Sequence, residues 1–88
     1  MYLHLGNDIV VRKSAVLAVF DLDNSSASRL TRDFLAKAEK RGAVVNAAGA
    51  ELPKSFVLCA EGDRESVYLS QLNSSTLLKR SEGLGLES

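Results

Sequence analysis

Cysteine, histidine, proline and methionine each occur once in these 88 residues, and tryptophan is absent. Cys59 has no partner for an internal disulfide. A solitary His4 cannot complete a Cys/His zinc set with it, and the chain offers no third or fourth ligand. No cofactor or metal is therefore expected. Long apolar runs are missing too. The longest, Ala15 to Phe20, falls far short of the roughly 20 residues a membrane helix needs, so no membrane partner is expected. The opening stretch Met1-Tyr2-Leu3-His4-Leu5-Gly6-Asn7-Asp8 has neither a basic leader nor an apolar signal core, so no targeting segment is expected. A free cysteine inside an apolar run suits a reducing compartment, and a cytoplasmic protein is the expectation.

A chain of this size buries only about 60–65% of the surface its unfolded form exposes, which leaves its own core marginal. Small domains make up the deficit with disulfides, metals or self-association. The first two are removed by composition, so a homo-oligomer is expected.

Charge is balanced overall, eleven basic residues against eleven acidic, but not evenly spread. Between Ser26 and Lys54 there are six basic residues and three acidic ones; from Glu61 onward there are three basic and five acidic. A local positive patch permits contact with an anion such as DNA. The neutral total argues against a protein that coats DNA indiscriminately.

Tyr2–Leu5 and Ile9–Arg12 read as strands about a Gly6-Asn7 turn. Ala15–Phe20 is a continuous apolar run and reads as a strand buried on both faces. Asp21-Leu22-Asp23-Asn24-Ser25-Ser26 is helix-entry chemistry, since short polar side chains accept hydrogen bonds from a helix's first free amides. The helix itself is expected over Ser26–Arg41. Ala27, Leu30, Phe34, Leu35 and Ala38 share one face at helical spacing; Arg29, Lys37, Lys40 and Arg32 lie on the other. Gly42 follows as a left-handed cap. A short strand opens at Val44-Val45, a second apolar strand spans Ser55–Ala60, and Glu61-Gly62-Asp63-Arg64 turns into Ser66–Ser70. Asn73-Ser74-Ser75 caps a short helix expected over Thr76–Arg80. The fold class is α+β: a small, mostly antiparallel sheet of five to six strands, one main helix packed on it, and a short C-terminal helix. Residues 1–81 are expected to form a single domain, and 82–88 a flexible tail.

No enzyme is expected. Cys59 lies in Phe56-Val57-Leu58-Cys59, where a buried thiol acts as a small hydrophobe. Asp21 and Asp23 are explained by the helix entry. Gly83-Leu84-Gly85 lacks the strand and lysine of a phosphate loop. The basic residues remain. Their plain reading is a solvated helix face, interrupted by Asp33 and Glu39. If they converge across repeated subunits, phosphate contacts accumulate and binding becomes steeply salt-dependent.

Several blocks, in order, resemble one family. They are Tyr2-Leu3-His4-Leu5-Gly6-Asn7-Asp8-Ile9-Val10-Val11, Phe20-Asp21-Leu22-Asp23, Thr31-Arg32-Asp33-Phe34-Leu35 with Ala38-Glu39-Lys40, Leu52-Pro53-Lys54-Ser55-Phe56-Val57, Val67-Tyr68-Leu69-Ser70-Gln71-Leu72 and Thr76-Leu77-Leu78-Lys79-Arg80. Over about residues 1–81 the chain is similar to the RemA/RemB family of bacterial regulators of the extracellular biofilm matrix. The resemblance implies a cytoplasmic regulator of matrix genes. Through RemA it implies a ring-shaped homo-oligomer whose basic rim binds promoter DNA, with a domain likened to the LytTR type. RemA carries adjacent arginines where this chain has Glu51-Leu52-Pro53, leaving Lys54. A further RemA arginine has no counterpart here, Arg12 and Lys13 being merely nearby. The DNA-contact candidates are therefore Arg12, Lys13, Arg29, Arg32 and Lys54. The rival expectation is an oligomeric adaptor that acts through protein partners such as RemA without touching DNA.

Overall fold

Alternation and turn chemistry set the strand order along the chain. The computed structural model describes residues 2–22 and 29–86, with side chains up to residue 80. Among these residues six strands and two α-helices follow one another: β1 (Tyr2–Gly6), β2 (Ile9–Arg12), a 3₁₀ turn (Lys13–Ala15), β3 (Val16–Asp21), α1 (Arg29–Lys40), β4 (Val44–Asn46), β5 (Ser55–Glu61), β6 (Arg64–Ser70) and α2 (Ser74–Leu86). The expected class is α+β, and it is found. The strands do not form one sheet of five or six. They divide into a two-stranded hairpin, β1–β2, and a four-stranded sheet in the order β3-β5-β6-β4.

The first hairpin turns on Asn7 and Asp8, both at positive φ (48° and 62°), the arrangement of a type I′ turn. The second turns on Gly62 and Asp63, and only Gly62 has positive φ. That arrangement fits type II′, whose first central position favours glycine. In the larger sheet β5 pairs antiparallel with both β3 and β6, while β4 lies parallel to β6. β3 and β4 are thus the two edges, run in the same direction, and are joined through α1, which lies over β6 and β4.

Helix α1 ends as its sequence dictates. Gly42 sits at φ 71°. Its amide donates to the Glu39 carbonyl (3.0 Å) and the Ala43 amide to the Ala38 carbonyl (2.9 Å), the paired bonds of a Schellman cap. The expected polar entry at Asp23-Asn24-Ser25-Ser26, with Ala27, lies outside the described residues. The second helix is capped by Asn73, whose Oδ1 accepts from the Thr76 amide at 2.8 Å. It runs over Ser74–Leu86 rather than Thr76–Arg80. No described residue past Arg80 is a proline, so no missing amide halts the helix there.

Strict alternation in β5 and β6 gives the sheet two packed faces. On one, Phe56, Leu58, Val67 and Leu69 meet Leu35 and Ala38 of α1, with Val44. On the other, Val57 and Cys59 meet Leu3, Leu5 and Val11 of the hairpin and Leu77 of α2. The result is three layers. A buried polar knot pins them at one end: Ser70 Oγ donates to the Leu5 carbonyl (2.7 Å) and accepts from the Leu72 amide (3.1 Å), while Ser55 Oγ donates to the Leu72 carbonyl (2.7 Å).

Two sequence expectations are corrected. β3 is not buried on both faces: it is an edge strand with Leu17 58% and Phe20 40% exposed. Nor does the whole apolar face of α1 meet the core. Leu30 is 82% exposed and Phe34 36%, because the buried stripe follows Thr31, Leu35 and Ala38, a third of a turn away. Both have one cause. A helix about 10 Å wide covers roughly two strands spaced at about 4.8 Å, and α1 lies over β4 and β6. Phe56 of β5 stays buried beneath Phe34, and among the described residues it is the β3 side of that face that is left exposed.

Candidate nucleic-acid interface

Because α1 leaves the finish of β3 and delivers the chain to the start of β4, its own start and finish lie at opposite ends of the sheet. Twelve helical residues span about 18 Å, and six strand residues about 20 Å. This geometry sorts the charges. Lys54 precedes β5 and is tied to the finish of β3, its carbonyl accepting from the Leu22 amide at 2.9 Å. Arg29 and Arg32 open α1 at the same end. Arg12 and Lys13 close β2 and enter the 3₁₀ turn at the opposite end. The five candidates therefore fall into two groups, not one patch.

The end that holds Arg12 and Lys13 also holds basic residues the candidate set omitted. Lys37, Lys40 and Arg41 are all exposed at the close of α1. A hollow of about 390 Å³ beside them is lined by Arg41, Gly42, Ala43, Asp63, Arg64, Glu65 and Ser66, so the hairpin tip brings Arg64 alongside Arg41 across 23 residues of chain. The sequence signal was the basic run Lys37…Lys40-Arg41 before a capping glycine. Such a run also stabilises a helix end against its own dipole, and that reading absorbed it. Glu61, Asp63 and Glu65 share the tip. The hollow consequently mixes both signs, while the face at the close of α1 is mainly cationic, Lys37, Lys40 and Arg41 outnumbering Asp33 one turn before Lys37.

Along α1 the residues Leu30, Phe34, Lys37 and Arg41 follow one another at helical spacing. The first two line an apolar groove of about 190 Å³ with Phe20, Thr31, Phe56 and Leu58. The last two line a neighbouring hollow with Phe34 and Lys40. Phe56 forms the groove's floor, stacked on Phe20 at 4.7 Å between ring centres and on Phe34 at 6.2 Å. One helix edge thus passes from apolar to cationic over three turns.

Burial, then the charge of Glu61, pushes the Cys59 thiol up to about 11, away from the thiolate a nucleophile needs. Tyr68 is raised too, by burial first and then by Cys59 and Glu61. Among the described residues no three of histidine, cysteine, aspartate or glutamate gather as a metal site, and no helix is long and apolar enough to cross a membrane.

The family model for RemA-like proteins, described as extracellular matrix regulatory protein A-like, matches residues 2–80. The chain belongs to the RemA-like family. Within the family it is 37% identical over 82 residues to extracellular matrix regulatory protein B of Bacillus subtilis (strain 168), the alignment covering 93% of this chain and 91% of that protein. The RemA-like match runs through all six strands, α1 and the first half of α2, and so includes every basic residue discussed above.

Proposed function

We propose that this RemA-like chain regulates the expression of extracellular-matrix genes by assembling into a ring and holding DNA through phosphate contacts. The observation that carries this reading is the exposed cationic stripe Lys37, Lys40 and Arg41 at the close of α1, on a chain whose matched relative is a matrix regulatory protein. Three cations are too few to hold DNA firmly from one copy. Each phosphate contact adds to affinity and to its salt dependence, so copies in a ring, presenting the same stripe along one rim, turn a weak contact into a firm one. Contacts of this kind position DNA without reading bases. Arg29, Arg32 and Lys54 at the far end of α1 supply a second, sparser group.

Fluorescence anisotropy with a labelled duplex tests the reading. The pair Lys37→Glu and Arg41→Glu is expected to weaken binding at least tenfold near physiological salt; Arg29→Glu with Lys54→Glu is expected to weaken it less. Undetectable binding of the unaltered protein at low salt would remove the proposal.

The apolar groove favours a second reading: an oligomeric adaptor that acts through protein contacts, RemA among the candidates, without touching DNA. Co-purification with RemA that survives nuclease treatment, in a protein that binds no duplex, is the outcome that reading requires.

A further inference from the structure

The groove beside α1 and the outer edge of β3 form one continuous surface. Among the described residues β3 pairs with β5 alone, so the backbone groups along its other side have no described strand beside them. None of its residues is a proline or lysine of the kind that blunts an edge, and its only charged residue, Asp21, is the last; such an edge accepts another strand. Leu17, in the bulge between Val16 and Ala18, and Phe20 are exposed on it, with Leu30 and Phe34 across the groove. Taking roughly 200 Å² for a fully exposed leucine or phenylalanine, these four side chains present on the order of 400 Å² of apolar surface. That is close to the apolar share of one side of a standard interface, which is about 800 Å² per partner and a little over half non-polar.

The chain also carries an edge to meet it. Among the described residues β4 pairs with β6 alone. The Ala43 carbonyl and the Ala47 amide bond inward to Val67 and Leu69, so by alternation the backbone groups of Val44 and Asn46 point to the open side. β3 and β4 run in the same direction at opposite edges, which lets copies related by simple rotation join edge to edge. A joint between two different surfaces propagates head to tail and closes into a ring when the rotation permits. We infer that the partner for the β3 edge is the β4 edge of a second copy, the four-stranded sheets continuing from subunit to subunit with α1 of the second copy flanking the apolar groove. The inference rests on the ring assembly proposed above and specifies its joint.

Cross-linking between single-cysteine variants tests it. Leu17→Cys and Val45→Cys alter exposed positions on the two edges, and each is combined with Cys59→Ala, which removes the buried native thiol. Mixed and treated with a short bis-maleimide, the two are expected to give a cross-linked dimer that neither gives alone. Leu30→Asp, at a position 82% exposed, is expected to lower the native mass while leaving the circular dichroism spectrum unchanged. An oligomer in which the mixture does not cross-link, or in which Leu17→Cys alone does, overturns this joint and leaves the ring reading standing. A native mass equal to one subunit in the unaltered protein removes both.

Discussion

Cys59 lies at 3% exposure between the sheet and the hairpin, and its thiol is pushed up to about 11. Between its ordinary value near 9 and 11 the folded protein holds a proton that the unfolded chain releases. Stability from this group is therefore full below about pH 9 and lost as pH rises towards 11. Urea midpoints measured from pH 8 to 10.5 are expected to fall, and to fall less steeply in Cys59→Ala. Tyr68, raised by burial, acts in the same direction. Ser70 makes the second prediction at this scale. Its buried hydroxyl serves the Leu5 carbonyl and the Leu72 amide at once. Ser70→Ala strands both groups and is expected to cost about 1–3 kcal/mol in a chemical melt. The burial of Cys59 was readable from its apolar run; the role of Ser70 was not. A serine at a strand end resembles a turn signal, and only the approach of β1, 65 residues away, makes it a core residue.

Elements whose signals are local came out close to their sequence reading. The Gly42 cap, the Gly62-Asp63 turn and the Asn73 cap each depend on a few neighbouring residues, so the chain specifies them without the rest of the fold. They can be tested as local features. A β-carbon at Gly42 meets nothing within 4 Å, so Gly42→Ala suffers only from the left-handed backbone and is expected to cost about 1 kcal/mol. Asn73→Ala, which removes the acceptor for the Thr76 amide, is expected to cost a similar amount. Thermal melts of the two variants measure both. β3 was misread because an apolar run records burial without recording which neighbours supply it. Its run resembles that of a central strand, yet its place at an edge follows from β5 and β6, some 40 residues later, filling the sheet's middle. Leu30 was misread for the related reason that helical spacing gives a face, while the width of the sheet decides how much of that face is covered.

At the scale of the whole molecule, the crossover between β3 and β4 governs both surfaces. It carries α1 to one side of the sheet, which bares the groove, and it sets the cationic stripe of Lys37, Lys40 and Arg41 at one end with Arg64 nearby. The five residues picked out from the chain, Arg12, Lys13, Arg29, Arg32 and Lys54, are divided by the same crossover. Distance along the sequence could not have shown that division, because the two ends of α1 are close in number and about 18 Å apart in space.

The central claim is that assembly multiplies a small positive stripe into a DNA-holding rim. The salt dependence of duplex binding by the unaltered protein addresses it directly. The two groups on one copy, Lys37, Lys40 and Arg41 with Arg29, Arg32 and Lys54, limit the slope of log K against log salt concentration to about −5.4, since each neutralised phosphate contributes about −0.9. A slope distinctly steeper than that is the predicted result. Binding with a slope of about −5.4 or shallower, or no binding at low salt, would contradict it.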